Sequence, residues 1–169
     1  MTKRLAVAFF YDEAGVVDDY FLHLVKSLKP FVAHTIFVSN GLLTKDSELA
    51  IGPLVEQVLI RENEGFDVGA YKAAIEAIGY ENLAEYDEMI LYNHTFYGPI
   101  YPFSEMFGEM ENRKCDFWGI TIHKEIPNPF TKVGILPKHV NSHFIGQKAD
   151  ADLTGISTVL GHDATDRKL

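Results

Sequence analysis

Asn63-Glu-Gly-Phe-Asp-Val-Gly-Ala-Tyr71 is a glycine-punctuated turn that opens straight into a run of good helix formers. Asp87-Glu-Met-Ile-Leu-Tyr-Asn-His-Thr-Phe-Tyr-Gly-Pro99 is a hydrophobic strand that stops abruptly in a polar cluster and a Gly-Pro turn. In an open α/β sheet, ligands gather in the crevice beyond the carboxyl ends of the strands. Both segments put polar residues at such an end, so together they nominate a binding site.

The flanking chain repeats the pattern. Leu5 to Tyr11 is a continuous apolar run, as expected of a strand buried on both faces. Val17, Tyr20, Phe21, Leu24 and Leu28 recur at helical spacing within 16–28, and Pro30 stops that helix. Thr35 to Val38 reads as a second strand closed by the Ser39-Asn40-Gly41 turn, and Val58 to Arg61 as a third. Between them, 46–54 is ambiguous because Pro53 limits any helix there. A helix over 67–78 carries Val68, Tyr71, Ala74, Ile75 and Ile78 on one stripe and meets a C-terminal cap at Gly79. Met89 to Tyr92 is a fourth strand, Phe103 to Met110 a helix, and Asp116 to Ile122 a fifth strand. Beyond it, Pro127, Pro129 and Pro137 punctuate a loop, and Val140 to Ile145 forms a last short strand. Alternating strands and helices predict an α/β fold, a three-layer, mostly parallel sheet with helices on both faces. One domain over 1–148 is expected, with 149–169 a poorly packed tail.

Composition narrows the function. Hydrophobic residues make up 47% and charged residues 23% of 169, as in ordinary globular proteins. A net charge of −9 argues against nucleic acid as partner, which demands a basic face. It leaves room for a phosphate-bearing small ligand, which helix N-termini can bind. The single cysteine, Cys115, fits a reducing compartment, and the apolar start is interrupted by Asp12 and Glu13, unlike a signal peptide. A cytoplasmic location is expected.

Each candidate residue has a plain alternative. Ser39 and Asn40 can bind a base or ribose, or simply make a tight turn. Asp67 can meet a ligand, or cap the helix by accepting from the N–H groups of Val68 to Ala70. The spacing around Gly65 is neither a dinucleotide fingerprint nor a phosphate loop. Asn93-His94-Thr95 can coordinate a cation or hydrogen-bond a diphosphate, held by the stiff Tyr97-Gly98-Pro99 turn. His139 and His143 lack the glutamate of a metalloprotease helix, and the usual four-ligand zinc set is missing. Trp118 is either core or the wall of a sugar site, and Asp116 either a solvated strand-start acid or a catalytic base.

Asn63-Glu-Gly-Phe-Asp-Val-Gly-Ala-Tyr71, Tyr86-Asp-Glu-Met-Ile-Leu-Tyr-Asn93, Tyr97-Gly-Pro99 and Asp116-Phe-Trp-Gly-Ile-Thr121 together resemble the rhamnan synthesis protein F family, over most of Leu5 to Ile145. The resemblance implies a glycosyltransferase-like protein of the nucleotide-diphosphosugar (GT-A-like) fold, acting in rhamnan or O-antigen type polysaccharide synthesis. By that resemblance Phe10, Tyr11, Ser39 and Asn40 would cradle the base and ribose. Asn63, Gly65 and Asp67 would sit beside the nucleotide, with Lys72 near the diphosphate. Asn93, His94 and Asp67 would hold a divalent cation, Mn²⁺ or Mg²⁺, and Asp116 would be the catalytic base.

Two departures stand out. Where the family has Asn-Asp-Ser, this chain reads Asn93-His94-Thr95, and imidazole is a poorer ligand than carboxylate for a hard cation. Where the family reads His-Leu-Gln-Ser-Tyr-Phe, this chain reads His139-Val-Asn-Ser-His-Phe144. The chain then ends soon, so the acceptor part is expected to be short or absent. The implied partners are a nucleotide-diphosphosugar, plausibly dTDP-L-rhamnose, and a polysaccharide or lipid-linked acceptor at a membrane synthesis complex. The alternative function is a non-catalytic member that binds a sugar nucleotide or partner proteins within such a complex.

Overall fold

The structure, a computed structural model, describes residues 2–129 and 133–148. The expected tail over 149–169 lies outside these residues. In chain order the elements are β1 (Arg4–Phe10), α1 (Asp19–Leu28), β2 (His34–Asn40), α2 (Lys45–Ile51), β3 (Gln57–Arg61) and α3 (Phe66–Ile78). There follow β4 (Glu88–Asn93), α4 (Phe103–Glu111), β5 (Phe117–Gly119), β6 (Ile122–His123), β7 (Ile126–Pro127) and β8 (Ile135–Leu136). The last two are β9 (His139–Val140) and β10 (Phe144–Lys148).

Six strands form one sheet in the order β3-β2-β1-β4-β10-β5. The first four are mutually parallel, while β10 runs antiparallel to both of its neighbours. The fold is therefore α/β with a mostly parallel sheet. Because β1 is buried on both faces, its side chains divide by alternation. Ala6, Ala8 and Phe10 join Phe21, Leu24, Leu28, Ile51, Phe103 and Phe107 beneath α1, α2 and α4. Leu5, Val7 and Phe9 join Ala70, Tyr71, Ala74 and Ile75 of α3 on the opposite face. Each buried Leu, Val, Ile or Phe among these stabilises the fold by about 1.5–3 kcal/mol.

The last strand expected over Val140 to Ile145 is instead divided between β9 and β10, and three further boundaries differ from the sequence reading, each for a local reason. α1 starts at Asp19 rather than near Val16, because Asp12 Oδ1 accepts from the N–H groups of Ala14 and Val16 and holds that stretch in a turn. α2 does form over Lys45–Ile51, capped by Thr44, whose hydroxyl accepts from Ser47 N; Pro53 then sits in a short 3₁₀ turn. The fifth strand breaks at Gly119, and the loop expected after it contains the β6–β9 and β7–β8 ribbons.

At the strand starts, Arg4 and Glu88 form a buried ion pair at 2.6 Å, and Trp118 donates Nε1–H to the other Glu88 oxygen at 2.7 Å. The indole lies across Gly146 of β10, the residue opposite it in register, where a Cβ would collide with the ring. Trp118 is thus core, filling the space that glycine leaves.

Candidate functional site

The chain moves from β1 outward to β2 and β3, then returns across the sheet to β4 on the other side of β1. Such a reversal marks the carboxyl ends of β1 and β4 as the place where open sheets of this kind hold a ligand crevice. Its walls are the loops after β1, β2, β3 and β4. Tyr20 ties two of them together, donating its hydroxyl to the His94 carbonyl at 2.6 Å and packing on Tyr97 at 4.4 Å between ring centres. Thr44 N–H donates to the Gly15 carbonyl, joining the loops after β1 and β2.

One half of the rim is a network at the ends of β2 and β3. Asn40 Nδ2 donates to Asn63 Oδ1 at 3.1 Å and to the Phe66 carbonyl at 2.9 Å. Arg61 donates to Asn40 Oδ1 at 2.7 Å and to the Glu64 carbonyl at 3.0 Å. Gly65 (φ 68°) and Phe66 (φ 50°) both hold left-handed backbone, which is strained for a phenylalanine, and α3 begins at once. Gly69 lets the helix meet this loop, since a Cβ there would run into the Glu64 carbonyl.

The other half joins β4, α3 and the start of β10. Asn93 Nδ2 donates to the Ser142 carbonyl at 3.2 Å, while its Oδ1 accepts from Thr95 N–H at 3.0 Å and from the Thr95 hydroxyl. Because that hydroxyl proton is committed to Asn93, the contact between Thr95 Oγ1 and His143 Nδ1 at 2.8 Å has the imidazole N–H as donor. Tyr71 hydroxyl donates to the Ser142 carbonyl at 3.3 Å. Burial pushes that hydroxyl well above the usual tyrosine range, and the nearby Asp67 carboxylate pushes it further.

Asn40, Asn63, Gly65, Asp67 and Asn93 thus share one rim. Tyr11 stands half-exposed at the end of β1, its ring near Gly41. Ser39 is buried and donates its hydroxyl to the Leu42 carbonyl. Phe10 is core, stacked against both Phe21 and Phe37, so it supports the crevice floor rather than facing it.

Four expectations need correction. Asp67 does not cap α3: Gly65 holds the cap position, and Asp67 Oδ1 accepts only from Val68 N–H among the described residues. Lys72 pairs with Glu76 at 3.8 Å, one turn down α3 and away from the rim. Asp116 lies at the opposite end of the sheet, at the strand starts, where its carbonyl accepts from Lys148 N–H and Lys148 sits opposite Glu88 of β4. A base for chemistry at the crevice cannot come from there. The half-buried His94 packs its ring edge-on against Phe9, Phe10 and Phe21, with a buried Nδ1 that has no partner among the described residues, which is the setting of a core ring and not of a free ligand. Burial lowers the His94 pKa from 6.5, against the opposing pull of the Phe9 carbonyl and Asp12.

These arrangements bear on a divalent cation. The Asn93 carbonyl oxygen already serves two Thr95 donors and His94 is packed among rings, so Asp67 is the one carboxylate of the predicted set. Mg²⁺ and Mn²⁺ need several oxygen donors, and this set does not fit a resident hard cation. Among the described residues no group of three or more His, Cys, Asp or Glu is placed to hold a metal ion.

Arg61, Tyr71 and Ser142 carry the rim without having been singled out as site residues, whereas Thr95 belonged to the expected Asn93-His94-Thr95 cluster. Arg61 had a visible signal, a charge closing an apolar strand just before Asn63. Tyr71 read as helix stripe, and nothing in sequence links it to Ser142.

A family model for rhamnan synthesis protein F matches residues 35–151, which takes in both halves of the rim. The chain belongs to that family. Membership gives it a role in rhamnan polysaccharide synthesis. The match starts at the head of β2, so β1 and α1 lie outside it. No curated protein matches the chain significantly. Among the described residues, no helix is long and apolar enough to cross a membrane.

Proposed function

We propose that the crevice binds a nucleotide-diphosphosugar and that the domain is a glycosyltransferase of the nucleotide-diphosphosugar (GT-A-like) fold, with L-rhamnose the transferred sugar. The observation that carries this reading is the Arg61–Asn40–Asn63 network on the rim at the strand reversal. Arg61 keeps guanidinium donors beyond the two it spends on Asn40 and Glu64, a geometry suited to phosphate. The N-terminus of α3 adds a partial positive charge beside it. Tyr11 offers a flat surface for the base, with Asn40 and Asn63 for the ribose.

Transfer to a polysaccharide or lipid-linked acceptor requires a proton acceptor for the attacking hydroxyl. With Asp116 at the far end of the sheet, Asp67 takes that role, since its carboxylate lies on the rim beside Tyr71. The hydroxyl oxygen bonds to the anomeric carbon, the bond to the diphosphate breaks, and the proton passes to Asp67. Calorimetry with dTDP-, UDP- and GDP-sugars tests the donor claim: one of them binds, and Arg61→Ala weakens it. Absence of binding by all three classes sinks the reading.

A second reading has its own support. The internal use of Asn93 and the packing of His94 leave few free catalytic groups, as in a member that binds the donor without turnover. Donor binding without transfer to any rhamnan acceptor, in a chain with intact fold, would select it.

A further inference from the structure

β6 and β9 continue the β5–β10 neighbourhood outward beyond the carboxyl end of the sheet. Ile120 N–H donates to Phe144 O, Asn141 N–H to Thr121 O, and then Ile122 faces Val140 and His123 faces His139. The two imidazoles stack at 4.9 Å between ring centres, 13° from parallel. His139 is exposed and His123 half-buried.

Their protons are already assigned by their partners. His123 Nδ1 lies 2.7 Å from the Lys124 carbonyl, and His139 Nδ1 lies 2.8 Å from the Pro137 carbonyl. A carbonyl can only accept, so each Nδ1 carries the hydrogen and each Nε2 keeps its lone pair. No hydrogen bond among the described residues uses either Nε2. Metal-binding histidines characteristically donate their other ring N–H to a backbone carbonyl or carboxylate, which sets the tautomer and raises ligand basicity. Here both rings carry that support before any ion arrives.

We propose that His123 and His139 form a two-histidine site for a borderline divalent transition ion, Zn²⁺, Ni²⁺ or Cu²⁺. Directly opposed residues of an antiparallel pair have Cβ atoms about 4.5–5.5 Å apart, close enough for both rings to tilt onto one ion. Imidazole suits these ions, whereas Mg²⁺ and Ca²⁺ prefer oxygen. No third His, Cys, Asp or Glu joins the pair among the described residues. The ion would clip the base of the excursion that carries β7 and β8 and leaves the sheet beside the rim. The site is independent of the donor reading and of Asn93 and His94.

Isothermal titration of the full chain with ZnCl₂ and NiCl₂ tests it, with MgCl₂ as the contrasting ion. One Zn²⁺ or Ni²⁺ per chain is expected, with a rise in melting temperature. His123→Ala and His139→Gln should each weaken binding at least about tenfold, the lower bound for losing even an outer-shell partner. His23→Ala, an exposed histidine on α1, should leave it unchanged. Both rings lie at the surface of a short ribbon, so circular dichroism should show the variants folded. Wild-type chain that ignores Zn²⁺ and Ni²⁺, or a double variant that binds them as well as wild type, overturns the site.

Discussion

Tyr92 buries its hydroxyl among Phe21, Phe144 and neighbouring rings with no hydrogen-bond partner among the described residues, and burial pushes its pKa far up. An unsatisfied buried hydroxyl costs about 1–3 kcal/mol, so Tyr92→Phe should raise stability by that order in urea unfolding. Two residues on, His94 sets a pH dependence. Its folded pKa is lowered by burial, so below about pH 6.5 the unfolded chain binds the proton more readily than the native one. Stability is therefore full above that value and falls as pH drops through it, until the native ring protonates. His94→Phe should flatten that decline between neutral and mildly acidic pH, read from urea midpoints. Gly69→Ala forces a methyl into the Glu64 carbonyl, and such overpacking costs about 1–3 kcal/mol. The polar residue types at 63–67 and 93–95 were legible as site candidates. Their directions were not: His94 and Asn93 are adjacent in sequence, yet one packs among rings and the other bonds across to β10.

Among the elements, β4 and β10 show what patterning can and cannot reveal. The apolar run at Met89–Tyr92 marks a buried central strand, and the stripe on 67–78 marks α3, because each alternation or helical repeat is a local property. The insertion of β10 between β4 and β5 has no local mark; Val140–Ile145 reads the same whether it pairs in parallel, antiparallel or at an edge. What seats it is long-range: Gly146 admits the Trp118 ring, whose N–H reaches Glu88, which in turn neutralises Arg4. Both charged side chains are nearly inaccessible, at 3% and 6%. Removing one partner leaves a buried charge, so Arg4→Met should cost about 3–5 kcal/mol. The double change Arg4→Met/Glu88→Leu should recover much of that loss. Guanidinium unfolding of the single and double variants measures both.

For the molecule as a whole, the strand order decides which loops face one another. If the rim is the donor site, Arg61→Ala should weaken nucleotide-sugar binding by about 1.5–3 kcal/mol, the worth of a charged hydrogen bond. Asp116→Asn, at the far end, should change it by less than about 0.5 kcal/mol. Titration calorimetry on the two variants separates the two ends of the sheet. The α/β class and most strands and helices were readable from residues 5–145, since burial on both faces writes itself as apolar runs and turns as glycine and proline; the family likeness, expected over Leu5 to Ile145, is matched over residues 35–151. The partners of each polar group were not readable. Asp116 stands in an attractive motif, but a strand carries its first and last residues to opposite ends of a sheet. Only the folded path shows that β5 begins at the end away from the crevice, where Trp118 also meets Glu88. The same path brings Tyr71, Asn93 and Ser142, remote in sequence, into one hydrogen-bonded corner, because register between distant strands is set by packing and not by neighbours along the chain.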